Sequence, residues 1–276
     1  MVASTLLAGL DVPRAVAAEA RPEVTIPNFW DPKRRVERPP AGAVQAIRFV
    51  TTDDYPPFNF LDTTGHLTGF NIDLARAICA ELAIPCTIQA RPWSDLAAAV
   101  ENKNADAIIA GIAITADARA KLDFSDVYLR SPARFVVRRG AAPPDITPAG
   151  LTGRTVAVVE RTAHAAYLAA FFPKAVAKAY PNADAARAAL KAGEAEALFG
   201  DGVQSSFWLQ SEAAGNCCAF AGGAYLEPHF FGNGMAIAVP PDAGDLRRAL
   251  NAAMESIHDK GVYAELYLRY FPVSLY

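Results

Sequence analysis

From Ile47 the chain alternates short β-prone runs with amphipathic helical stretches, and after a proline break it does so a second time. That repeated alternation constrains the fold more than any single motif, because strands separated by helices demand a largely parallel sheet with helices packed on it. In the first pass, Ile47–Val50 reads as a strand and Tyr55-Pro56-Pro57-Phe58 as a rigid loop, since the prolines fix φ and cannot donate. Leu67-Thr68-Gly69-Phe70 leads into a helix whose apolar period runs through Ile72, Ala75, Ile78, Cys79 and Leu82. Thr87–Gln89 is the next strand, Ser94-Asp95 caps a helix through Val100, and Asp106–Ala110 is a buried strand ending at Gly111.

The break is Pro143-Pro144 and Pro148. Beyond it Thr155–Val159 is a strand, and Thr162 is placed to cap a helix around 165–172. Val176–Tyr180 is a strand, Asp184 is positioned to cap 185–192, and Ala195–Phe199 is a strand that meets Asp201. A second α/β unit therefore covers about 142–230. Met235–Val239 is a further strand, followed by helices over 245–259 and 261–270. Two lobes are expected, and order along the chain does not say which of them receives the last forty residues.

Composition excludes several classes. The 276 residues carry 26 Lys and Arg against 29 Asp and Glu, a formal net charge of −3. No basic stripe is present, which argues against a nucleic-acid partner. No segment approaches the roughly 20 uncharged apolar residues a membrane helix needs. Asp53, Asp54 and Asp62 lie close together without the spacing of a calcium loop, so no metal is expected. Residues 1–20 read as the tail of an export signal, with Leu6–Leu10 apolar and small-x-small sites at Ala15–Ala20. Residues 21–46 form an irregular proline-rich leader that Phe29-Trp30 would pin to a surface groove.

Cys79 lies where a helical pattern ends and Cys86 opens a β-prone stretch, so a fold-back can bring their α-carbons within the 4.4–6.8 Å a disulfide requires. Two buried thiols fit the same residues. Cys217-Cys218 are adjacent, compatible with a vicinal disulfide or with free thiols, and lack the C-x2-C pairing of a zinc site.

Seven pieces now follow one another in order: Tyr55-Pro56-Pro57-Phe58; Gly65-x3-Gly69-Phe70-x2-Asp73-Leu74; Trp93-x2-Leu96; Asp106-Ala107-Ile108-x2-Gly111-x3-Thr115; Asp123-Phe124-Ser125-x2-Tyr128; Leu151-x-Gly153-x2-Val156-Ala157-Val158; and Gly232-x-Gly234-Met235. Together they resemble extracellular solute-binding protein family 3, the amino-acid-binding receptors of ABC importers, from about Ile47 to Phe271. The resemblance implies a type II periplasmic-binding-protein fold. Lobe one would be 47–137 plus 235–276, lobe two 142–230, with hinge crossings near Val136–Gly140 and Phe231–Gly234. It also implies a disulfide between Cys79 and Cys86, a periplasmic monomer, a small-molecule ligand and a membrane ABC permease as partners. No catalysis and no cofactor are implied.

Residue by residue, Tyr55 and Trp93 match the two aromatic walls that sandwich ligand, flat rings that attract a cation over their faces. Asp201 matches the carboxylate that pairs with the ligand ammonium, and its position would equally explain a simple N-cap. Gly111 to Ala113 match the segment whose backbone contacts ligand, here with alanine at both Ala110 and Ala113. Arg161, Thr162 and Ala163 match the helix-start loop whose amides bind the ligand carboxylate. One position departs from the family: its carboxylate-forking arginine falls on Ala118, and Arg119 is one residue late, rotated by about 100° on a helix. Either Arg119 or Arg161 supplies the contact, or the ligand is not an ordinary free α-amino acid, the reading preferred here. Two rivals share the scaffold: a lyase working through His164, Asp54 or Asp201, and an accessory protein of a periplasmic dehydrogenase.

Overall fold

The two passes of strand and helix build two separate sheets in a computed structural model, which describes residues 24–30, 33, 35–112, 114–140, 144–271 and 273–276. The export-signal segment 1–20 and Ala113 lie outside the described residues.

The first pass contains β1 (Ile47–Thr51), β2 (Asp54–Tyr55), β3 (Asn59–Leu61), β4 (Leu67–Thr68), α1 (Phe70–Leu82) and β5 (Cys86–Ala90). A short 3-10 turn over Trp93–Asp95 then leads into α2 (Leu96–Glu101), β6 (Ala107–Ile108), α3 (Ala116–Arg119) and β7 (Asp123–Phe124). The second pass is β8 (Ala133–Arg138), β9 (Thr155–Val159), α4 (Ala163–Phe171), β10 (Val176–Tyr180), α5 (Ala183–Ala192), β11 (Ala197–Asp201), α6 (Gly202–Gln210), β12 (Cys218–Tyr225) and α7 (Pro228–Phe231). The chain closes with β13 (Ala238–Val239), α8 (Gly244–Asp259) and α9 (Val262–Tyr270).

The first sheet has the order β5-β1-β6-β13-β7 and the second β10-β9-β11-β8-β12. In the first sheet β1 pairs in parallel with β5 and β6, and β13 pairs antiparallel with β6 and β7; in the second β9 pairs in parallel with β10 and β11, and β8 pairs antiparallel with β11 and β12. Thus β13 returns to the first sheet, carrying α8 and α9 with it. Their apolar faces, including Leu250, Met254, Tyr263 and Tyr267, join Ile47, Phe49, Phe70 and Ile78 in one buried cluster. The second sheet buries Phe135, Val156, Tyr167 and Phe199 on one face and Val136, Ala157, Leu190 and Trp208 on the other.

Three sequence expectations are corrected. The first crossing between sheets lies before Ala133, not at Val136–Gly140, because β8 is bonded to β11 and β12 throughout its length. The two crossing segments touch at the Leu129–Met235 bridge. Gly234 is required there: its φ is 107°, and a Cβ would stand 2.7 Å from the Leu129 carbonyl oxygen. The cap of α5 is Asn182, whose Oδ1 accepts from Ala185 N at 2.9 Å, rather than Asp184. Asn182 is extended after Pro181, as a cap must be, whereas Asp184 sits inside the first turn. Strands expected over Asp106–Ala110, Ala195–Phe199 and Met235–Val239 are Ala107–Ile108, Ala197–Asp201 and Ala238–Val239.

α1 ends at Ala83 in the left-handed region, with Ile84 N donating to Cys79 O. The chain thereby folds back, and Cys79 and Cys86, with α-carbons 6.2 Å apart, are bonded. Cys217 and Cys218 are also bonded to each other. Of the leader's described residues, Phe29 meets Tyr276 and Trp30 packs between His258 and Tyr263 on the first lobe. Among the described residues no helix is long and apolar enough to cross a membrane.

Candidate functional site

Open α/β sheets offer ligand sites at the C-terminal ends of their strands; here Tyr55 follows β1, Gly111 follows β6, Thr162 follows β9 and Asp201 ends β11. Asp201 ends β11 and caps α6. Its Oδ1 accepts from Gln204 N at 2.8 Å and its Oδ2 from Ser131 Oγ at 2.6 Å. Ser131 belongs to the crossing segment, so the carboxylate is held from both its own helix and the junction between lobes. A carboxylate has about four acceptor sites, and two protein donors leave room for a ligand's.

Tyr55, on β2 of the first lobe, lies near enough to Asp201 to be acted on by its charge. Desolvation pushes its hydroxyl up to about 12, and the Asp201 charge adds to the effect. Its ring stacks on Phe58 at 4.9 Å. Gly111 lies beneath it: φ is 71°, and a Cβ there would come within 3.1 Å of Tyr55 Cε1. Below this loop runs a buried polar chain. Tyr128 Oη donates to Asn71 Oδ1, Asn71 Nδ2 to Asn59 Oδ1, and Asn59 Nδ2 to Thr52 Oγ1. Each amide has a partner, as burial requires, and the chain fixes the backbone on which Tyr55 is mounted.

On the second lobe Thr162 is a complete N-cap. Its Oγ1 accepts from Ala165 N and donates to Val159 O, so the amides of Ala163 and His164 open the helix without intrahelical acceptors. The His164 ring stacks on Phe231 at 5.2 Å. Burial pulls its pKa down, and the nearby Asp201 opposes this. Thr162, His164, Asn182, Arg187, Asp201 and Gln204 line one cavity of about 390 Å³. Of these, Asn182, Arg187 and Gln204 carry no signal in the linear sequence, because they share a site only once α5 and α6 dock beside β11.

The remaining residues singled out from the sequence stand apart. Trp93 is 57% exposed and stacks on no ring among the described residues. Arg119 lies against Phe124, its guanidinium 5.8 Å from the ring centre. Ala118 packs on the apolar cluster of Leu96 and Phe124. Arg161, at φ 57°, pairs with Glu160 at 2.7 Å and is largely solvated. Neither arginine reaches the Asp201 cavity.

Comparison with known proteins agrees with this architecture. Residues 47–273 match the model of the bacterial extracellular solute-binding proteins, family 3. The chain is similar to the putative ABC transporter arginine-binding protein 2 of Escherichia coli (strain K12), 29% identical over 84% of this chain and 93% of that protein. It is 30% identical to the histidine-binding periplasmic protein of Salmonella typhimurium (strain LT2) over 86% of this chain and 91% of that protein. Among solved structures it resembles the second substrate-binding domain of GlnP from Lactococcus lactis in its open conformation. There the TM-score is 0.72 at 18% identity, with 84% of this chain and 97% of that one covered. That likeness carries the type II periplasmic-binding-protein fold.

Proposed function

The chain belongs to the bacterial extracellular solute-binding proteins of family 3, and from that premise we propose that it is the periplasmic, monomeric receptor of an ABC-type importer. It captures a small amino-acid-like or cationic amine solute between its lobes and delivers it to a membrane permease without chemical change. Relatives named for arginine and histidine support a cationic ligand, and the naming of one as an ABC transporter protein supports import over the dehydrogenase-accessory and lyase readings.

The observation that carries the reading is an anchored carboxylate at the end of β11: Asp201 is held by Gln204 of its own helix and by Ser131 of the crossing segment, and its charge acts on the Tyr55 hydroxyl of the first lobe. Asp201 takes the ligand's ammonium, Tyr55 and Trp93 cover its faces, and the backbone of Gly111 and Ala113 with the amides after Thr162 bind its polar atoms. Lobe closure about the two crossings removes the bound solute from water. With Ala118 in the carboxylate-fork position, and with Arg119 on Phe124 and Arg161 on Glu160, a free α-carboxylate lacks its usual partner.

A thermal-shift screen against the twenty amino acids, polyamines, betaines and small peptides tests the reading. Cationic amines should raise the melting temperature most. Micromolar binding of a standard neutral or acidic α-amino acid, undiminished in Arg119→Ala and Arg161→Ala, would contradict the assignment of ligand class.

A further inference from the structure

The cavity inside the second lobe extends past Asp201 to an arginine that the cation site leaves unused. Arg187, on α5, is only 17% exposed along its side chain, and its guanidinium rests 5.6 Å from the buried Trp208 ring. Nη2 donates to the Gln204 carbonyl at 3.3 Å, while the Gln204 amide donates to Asp201 at 2.8 Å. A single residue of α6 therefore links the two charges, and standard backbone dimensions put them within roughly 10 Å of each other. The remaining partner of Arg187 is Asp184, which is 93% exposed. Such a surface pair is weak and readily exchanged.

A guanidinium has five donors in a planar fork suited to a carboxylate, and Arg187 spends only part of that set on Gln204 and Asp184. Partial burial strengthens whatever anion it meets. Among the described residues it is the arginine that shares a cavity with Asp201, at about 390 Å³ a volume suited to a small solute. We propose that Arg187 forms a carboxylate subsite, so that the preferred ligand is an ω-amino acid, its cation on Asp201 and its carboxylate several bonds away on Arg187. This subsite rests on the reading of Asp201 as the cation's partner.

Calorimetry on the full chain compares 4-aminobutyrate, 5-aminopentanoate and 6-aminohexanoate with propylamine, butylamine and pentylamine, each acid against the amine that lacks only its carboxyl group. At least one acid should bind about ten- to a hundredfold more tightly than its amine, the range of one charge-assisted contact. Arg187→Met should bring that acid down to its amine's affinity and leave the amine within about twofold. Arg187→Lys, which keeps the charge and loses the fork, should fall between and serves if the methionine variant does not fold. Acids and amines binding alike, with both lost in Asp201→Asn, would overturn the subsite and leave the cation site standing. An acid preference that survives in both Arg187 variants would also overturn it. No binding by any of the six would overturn the cation site and the subsite together.

Discussion

Asp201→Asn separates the charge of this residue from its structural duties. Asparagine caps helices as well as aspartate does, so the bond from Gln204 N to Oδ1 at 2.8 Å persists, while the amide NH2 that replaces Oδ2 donates to Ser131 Oγ instead of accepting from it. Loss of the cap altogether would cost about 0.5–2 kcal/mol, and the isostere should cost less than that. What disappears is the negative charge facing a bound cation. A charge-assisted hydrogen bond in a desolvated site contributes about 1.5–3 kcal/mol, so affinity for a cationic amine should fall roughly ten- to a hundredfold. Titration calorimetry with the strongest cationic ligand from the thermal-shift screen measures this, and unfolding in denaturant checks that the fold is intact. The Tyr55 hydroxyl should titrate lower in the variant, since Asp201 contributes to holding it near 12. Unchanged affinity for the cation in a stable Asp201→Asn protein would refute the placement of the ammonium site.

Other expectations follow from neighbouring residues. Because burial lowers the His164 pKa, the imidazole is neutral at pH 7 and gains its proton only below its ordinary range. The imidazolium then sits beside Asp201 and competes with the ligand, so affinity for a cation should fall as pH drops through that lowered value. His164→Asn should flatten this dependence in a calorimetric pH series. Gly111→Ala forces a left-handed side-chain-bearing residue, at about 1–2 kcal/mol, and sets a methyl 3.1 Å from Tyr55. Melting temperature and ligand affinity should both decrease. A non-reduced digest of exported protein should yield Cys79 and Cys86 in one linked fragment, and recovery of both as alkylated thiols would contradict the bond.

Much of the frame was legible in the residues because periodicity and capping are local. The strands at Ile47 and Thr155, the fold-back between Cys79 and Cys86 and the Thr162 cap lie where neighbouring residues dictate. The cap of α5 is ambiguous in the residues because Asn182 and Asp184 stand two apart, and only the extended backbone after Pro181 decides between them. The partnership of β8 and β12 leaves no spacing signal, since their pairing is antiparallel across about eighty residues. For the same reason nothing local in the residues marks that the first crossing ends before Ala133. Of the candidate site, Tyr55, Asp201 and Thr162 are expected from family position alone, and what binds there is the proposal that calorimetry tests. Arg187 could not be so expected, because its proximity to Asp201 passes through the Gln204 backbone of a helix that docks from later in the chain.

Closure of the lobes over a cation is the central claim, and small-angle scattering with and without a saturating cationic ligand tests it most directly. The radius of gyration should fall on binding, with a change in Trp93 emission as its 57% exposed indole is covered. An unchanged radius and unchanged emission, at ligand concentrations that calorimetry shows to be saturating, would contradict capture by closure.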